Sequence, residues 1–306
     1  MLALVGSSPG AVWCWAGRVA RPSRARSVVT ARPKEFELSR AQFLRIGAMI
    51  KDYAGISLAA SKQDMVYSRL VRRLRALRLD CFDHYLAVVE RDERDERQAF
   101  VNALTTNLTA FFREAHHFDV LDRVLHEIGG RRARIWCSAA STGEEPYSIA
   151  MTAVEHFDSW TPPVEIVATD INTEVLAQCR AGIYAIDRLD DLSDVRRKRF
   201  FQRGIGSMEG KARVRPELQR LVEFETFNLL GSGWPRFQGV DIIFCRNVMI
   251  YFDKPTQARL LQQFHRSLRS GGWLFVGHSE SQVREVPGFA AQGHTVYRSH
   301  AIGVAA

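Results

Sequence analysis

The sequence predicts an α/β chain: a doubly wound, mainly parallel sheet with helices on both faces, preceded by an all-helical segment. Three observations predict it. Beyond Asn107, short apolar runs at 135–137, 166–169, 240–245 and 273–276 are separated by helical stretches; strands alternating with helices read as a parallel sheet. From Phe36 to about Asn102 there is no β-rich run and no proline. The length of 306 residues suits two domains of ~100–200 residues each.

Taken in order, residues 1–33 lack periodicity and mix Gly, Pro, Ser and Arg. They read as a disordered extension or a start called too early, with an Arg-rich targeting sequence as the alternative. Much of the net charge of +8 resides here. Six of the 42 basic residues lie within the first 34 positions, where no acid occurs, so 36 basic residues face 34 acidic ones in the remainder. The pI of 9.5 is therefore weak evidence for nucleic-acid binding by the folded part. Five scattered cysteines, never in a C-x-x-C pair, exclude a disulfide scaffold or zinc ribbon and fit a reducing compartment. No apolar run approaches the ~20 residues of a membrane span.

Residues 34–105 form the expected helical domain. Ser39 can cap a helix running through Ile50. Within residues 61–79, Tyr67, Leu70, Val71, Leu74 and Leu77 recur at three- and four-residue steps and share one stripe. Arg69, Arg72 and Arg73 cluster on the opposite face. They are either a solvated face or a cationic docking strip for an acidic partner. Residues 91–97 (RDERDER) alternate in sign and read as a solvated helix end.

Residues 106–306 form the expected α/β domain, where a ligand sits beyond the carboxyl ends of the central strands. After the first run comes Ser141-Thr142-Gly143-Glu144-Glu145-Pro146. Gly143 allows a tight turn and Pro146 suits a first helical position. This is not the G-x-G-x-x-G of a dinucleotide site, because Glu144 and Glu145 stand where a pyrophosphate would lie against the helix N-terminus. Two acids there suit a cationic ligand, such as the ammonium and sulfonium of S-adenosylmethionine; they also serve as plain partners of the helix dipole. The second run ends in Thr169-Asp170, an acid placed to accept hydrogen bonds from ribose hydroxyls or to cap the next helix. The third ends in Cys245-Arg246-Asn247, with Tyr251 one helical turn beyond Asn247 and able to turn its hydroxyl toward a methyl donor.

Residues 107–114 (NLTAFFRE), 140–148 (ASTGEEPYS), 168–171 (ATDI), 244–252 (FCRNVMIYF) and 277–280 (GHSE) together resemble the chemotaxis receptor methyltransferases, the CheR family. The resemblance runs in order from about Phe36 to Arg298. It implies a Rossmann-like S-adenosylmethionine-dependent domain with a small β subdomain inserted at about 183–219. It further implies a cytoplasmic bacterial enzyme, without a metal, that makes glutamate methyl esters on chemoreceptor helices. By the family's motif, Asn107, Thr109 and Arg113 contact the methionine part of the donor, Glu145 the ammonium and Asp170 the ribose. Asn228 and Leu229 frame the adenine, Arg246 and Asn247 complete the pocket, and Tyr251 lies beside the transferred methyl. Spacing favours Glu145 over Glu144 for the ammonium. In some members the insert grips a receptor C-terminal peptide, and Gly204 and Gly206 are compatible with that.

The chemistry asks little more. A glutamate nucleophile, with a pKa near ~4.3, is already ionised at neutral pH and needs no general base. Alignment of oxygen, methyl carbon and sulfur can supply up to ~7–11 kcal/mol, and a tyrosine hydroxyl beside the nucleophile suits it better than an arginine. Acidic receptor helices also make sense of the Arg69, Arg72 and Arg73 face. The rivals are an RNA methyltransferase, a non-catalytic receptor-docking module and a hydrolase. The first lacks Asp/Asn-Pro-Pro-Tyr after its strand, and the second is opposed by Arg113, Glu145, Asp170 and Asn247. The third lacks G-x-S-x-G, and the nine histidines show no H-x-x-x-H spacing.

Overall fold

Residues 35–301 are described in a computed structural model of the chain; the segment 1–33 lies outside the described residues. Helix α1 (Arg40–Ala54) starts at a capping box. Gln42 donates its backbone N–H to the Ser39 hydroxyl (3.2 Å), and Ser39 N–H is accepted by the Gln42 side chain (2.9 Å). Helices α2 (Gln63–Leu77), α3 (Phe82–Glu90) and α4 (Glu96–Leu104) complete a bundle. Its core joins Ile46 and Ile50 of α1 to Leu70 and Leu74 of α2, Leu86 of α3 and Phe100 of α4. The apolar stripe of α2 is buried as its periodicity requires, at Val66, Leu70, Val71 and Leu74.

The second part opens with α5 (His116–Ile128), β1 (Ala133–Cys137), α6 (Glu144–Phe157), β2 (Val164–Asp170) and α7 (Thr173–Ala181). Then come β3 (Ile183–Ala185), α8 (Asp194–Phe200), β4 (Phe201–Arg203), β5 (Lys211–Val214) and α9 (Pro216–Gln219). The chain continues through β6 (Val222–Thr226), β7 (Val240–Cys245), α10 (Lys254–Ser267), β8 (Leu268–Val276), β9 (Phe289–Ala291) and β10 (Val296–Ser299). Seven strands form one sheet in the order β6-β2-β1-β7-β8-β10-β9. The pairs from β6 to β8 are parallel and the β8-β10-β9 edge is antiparallel. The chain moves outward one way from β1 to β2 and the other way from β7 to β8, so the order reverses between β1 and β7, where a crevice opens.

Both faces of the central strands are covered, and the pleat divides their residues between two cores. Ile135, Cys137, Ile242 and Phe244 pack on the α5–α6 side, while Trp136, Ile243 and Cys245 pack on the α10 side. Trp136 stacks on Phe237 with centroids 3.9 Å apart. Strands β3, β5 and β4 form a separate antiparallel sheet in that order. This insert is fastened to the main domain through Phe111, whose ring meets Tyr184 and Phe201 edge-on, and by the Tyr184 hydroxyl, which donates to Thr142 O at 2.8 Å.

Three local expectations are corrected. Helix α6 begins at Glu144, so Pro146 is its third residue rather than its first. Asn172, not Asp170, caps α7, accepting the backbone N–H groups of Glu174 (2.9 Å) and Val175 (3.2 Å). Asn247 has left-handed backbone (φ 59°) and the turn Met249–Tyr251 is a 3-10 helix, so Asn247 and Tyr251 do not share a helical turn.

Candidate active site

A crevice of about 570 Å³ lies beyond the carboxyl ends of β1, β2 and β7 and is roofed by the helical bundle through Ser57, Lys62 and Met65. Its volume is in the range of small-molecule sites. Asn107, Thr109, Arg113, Glu145, Asp170 and Asn228 all line it. So do Leu229, Arg246, Asn247 and Tyr251. Arg69, Arg72, Arg73, Gly204 and Gly206 do not.

The turn after β1 is shaped by Gly143, whose φ of 99° suits glycine and where a Cβ would meet the Tyr184 hydroxyl at 2.6 Å. It starts α6 with two acids that face different ways. Glu144 accepts from the Thr142 hydroxyl (2.6 Å) and pairs with Arg188 of the insert, whose guanidinium also donates to Thr109 O at 2.8 Å. Glu145 is buried and faces the crevice, accepting from Arg246 Nη1 (2.8 Å) and Cys137 Sγ (3.2 Å). Burial pushes its carboxyl up, against the pull of Arg246.

Arg246 is held between two carboxylates. Besides Glu145, it meets Glu114 Oε2 at 3.3 Å and donates to Arg113 O. The Arg246 guanidinium is thereby matched by two acids and does not stand as a free cation to cradle a phosphate. Asp170, at the tip of β2, accepts Ser141 N–H (2.8 Å) and Asn172 N–H (2.9 Å). Burial raises its carboxyl to about 6 despite these donors.

Asn247 sits in its turn because Glu280 holds it. Glu280, buried, accepts the backbone N–H groups of Asn247 (2.9 Å), Met249 (2.7 Å) and Gly277 (2.6 Å). A Cβ at residue 277 would meet Asn247 Nδ2 at 2.4 Å, so glycine is required there. Tyr251, half-buried, follows on the same loop, and its carbonyl accepts Ser57 N–H at 2.8 Å. The Asn228 side chain is engaged at the same junction, donating to Tyr53 O (2.9 Å) and accepting from Leu230 N–H (2.9 Å).

The arginine face of α2 is not a row of free cations. Arg69 donates to the carbonyls of Leu104 (3.0 Å) and Thr105 (2.7 Å). Arg73 makes a two-pronged pair with buried Glu96, at 2.9 and 2.6 Å. Arg72 is exposed. The face lies against α4, which a helical projection of α2 alone does not reveal. Sequence reasoning also missed the roof residues Ser57, Lys62 and Met65, because nothing in a helical bundle marks a ligand contact. Glu280 closes the 277–280 motif, and an acid just past the β8 run is the sequence signal that marks it.

Residues 41–105 match the family model described as CheR methyltransferase, all-alpha domain, and residues 107–297 match CheR methyltransferase, SAM binding domain. The chain is 52% identical over 266 residues to chemotaxis protein methyltransferase 2 of Pseudomonas aeruginosa, covering 86% of this chain and 95% of that protein. It is 50% identical to the chemotaxis protein methyltransferase of Salmonella typhimurium and 47% identical to that of Escherichia coli. Each of these alignments spans 277 residues, 90% of this chain and 96% of the relative.

Proposed function

The chain belongs to the CheR family of methyltransferases, and from that premise we propose how its residues carry out the reaction. It is an S-adenosylmethionine-dependent enzyme that methylates glutamate side chains of chemoreceptors, leaving S-adenosylhomocysteine. Residues 34–105 act as one domain over the crevice, and residues 106–306, with the insert at about 183–219, as the domain that binds the donor.

The observation that carries the residue assignments is the pair of buried acids, Glu145 and Asp170, lining one crevice with no phosphate-cradling glycine loop. Glu145 receives the donor's ammonium, held in place by Arg246. Asp170 has its inner lone pairs on Ser141 and Asn172 and offers the rest to the ribose hydroxyls. Leu229 and the backbone of Asn228 flank the adenine, since the Asn228 amide is occupied at Tyr53 O. Asn107, Thr109 and Arg113 close over the methionine portion, and Asn247 and Tyr251 face the reacting end. The donor supplies an electrophilic methyl on a sulfonium. The chain's own residues orient the ionised glutamate against it and exclude water, so orientation rather than proton transfer lowers the barrier.

The partner surface is acidic receptor helix. Because Arg69 and Arg73 are engaged within the bundle, Arg72 is the exposed cation of that face available for docking. The insert, near Gly204 and Gly206, would take a receptor C-terminal peptide where the receptor has one. The enzyme would work in the cytoplasm beside the receptor helices; no helix among the described residues is long and apolar enough to cross a membrane.

Incubation with methyl-labelled donor and receptor membranes tests the reading. Base-labile label on receptor protein is the expected result, and label on RNA instead would overturn it.

A further inference from the structure

No contiguous spacing in the sequence signals a metal, but the fold brings ligands together beside the crevice. Glu114, His116 and His278 place one ligand atom each within 4.8 Å of one another. His278 Nδ1 lies 3.0 Å from Glu114 Oε2. The His116 and His278 rings are perpendicular with centroids 5.3 Å apart, and the His294 ring centroid lies 5.2 Å from that of His116. His116 Nε2 is buried without a hydrogen-bond partner, an arrangement that costs free energy unless something occupies the lone pair or proton.

Two imidazoles and one carboxylate form a donor set suited to Zn²⁺ and Ni²⁺ rather than to Mg²⁺ or Ca²⁺.

We propose that Glu114, His116 and His278 form a regulatory binding site for a zinc-type divalent ion. The site is not a requirement of methyl transfer. Glu114 also meets Arg246, which in turn holds Glu145, so metal occupancy is coupled to the donor crevice. This coupling, unlike the metal site itself, rests on the donor assignments above. Linkage makes it reciprocal: an ion that alters donor affinity has its own affinity altered equally by the donor.

The test uses tag-free full-length protein titrated with Zn²⁺ against a chromophoric chelator. One equivalent should bind, and His116→Ala and His278→Ala should each weaken it roughly tenfold or more, the scale on which even supporting residues matter to metal sites. His278 is the safer variant, since its side chain is 65% exposed and its loss should leave the fold intact by circular dichroism. The alternative cluster, Asp80, Cys81 and His84, is separated by His84→Ala, which should leave zinc affinity unchanged. Absence of binding, or binding that follows His84 instead, would overturn the site. S-adenosylhomocysteine affinity measured with and without zinc should differ in the native chain and not in His278→Ala. Equal affinities would overturn the coupling while leaving the binding result standing.

Discussion

Asp170 is ionisable at the edge of the working pH range, because burial raises its carboxyl to about 6 from an ordinary value of 3.8. The folded value exceeds the unfolded one. Proton binding therefore favours the folded, ligand-free protein: that contribution is full below the ordinary value and is lost as pH rises through about 6. Donor binding runs the other way, since only the carboxylate accepts two ribose hydroxyls while retaining Ser141 and Asn172. Affinity for S-adenosylhomocysteine should therefore fall as pH drops from about 8 to about 5, and Asp170→Asn should flatten that profile. Calorimetry across this range checks it; an identical profile in the variant would remove Asp170 from the ribose role. At this scale the sequence was legible where chemistry is written in residue type, as in the acid ending β2. Adjacent positions were harder. Glu144 and Glu145 are adjacent in sequence but turn to different partners, Arg188 and Arg246, both distant in sequence.

Helix α2 shows what a single element can and cannot reveal. Its buried stripe follows from periodicity, whereas the covering of its arginine face by α4 does not. Glu96 is 2% exposed and Arg73 29%, so Arg73→Ala would leave a buried carboxylate uncompensated. Even discounted for the exposed edge of Arg73, the loss should be on the order of 2–3 kcal/mol, read as a lower midpoint in urea. Arg72→Ala should leave stability and donor affinity alone and slow receptor methylation by a factor of roughly two to five, the scale of an exposed charge at an interface. A normal rate would assign Arg72 to solvent. The strands divide likewise. β7 is buried at every position and, Asp241 aside, reads as an apolar run, while β6 (VEFET) is a partly exposed edge strand carrying glutamates and is hidden from the same reasoning. The short β9 and β10 depend on pairing with β8 for their identity.

Across the whole molecule, function depends on the bundle staying seated over the sheet. Asn102 of α4 is central to that contact, donating to the Thr173 hydroxyl (2.9 Å) and accepting Thr173 N–H (3.1 Å), while Asn172 Nδ2 donates to Thr105 Oγ1 at 2.6 Å. Asn102→Ala should cost about 1–3 kcal/mol in unsatisfied polar groups. It should also weaken donor binding without touching the donor, with faster hydrogen exchange at residues 54–62. Unchanged exchange there would show that the roof is held by other contacts.

The crevice as a receptor for a cationic methyl donor is best tested by equilibrium binding to the intact chain. S-adenosylhomocysteine should bind and Asp170→Ala should weaken it by roughly 5- to 150-fold, the loss of two hydrogen bonds of about 0.5–1.5 kcal/mol each, while a nicotinamide dinucleotide gives no heat. Binding of the dinucleotide in competition with S-adenosylhomocysteine, or indifference of the latter to Asp170→Ala, would contradict the account.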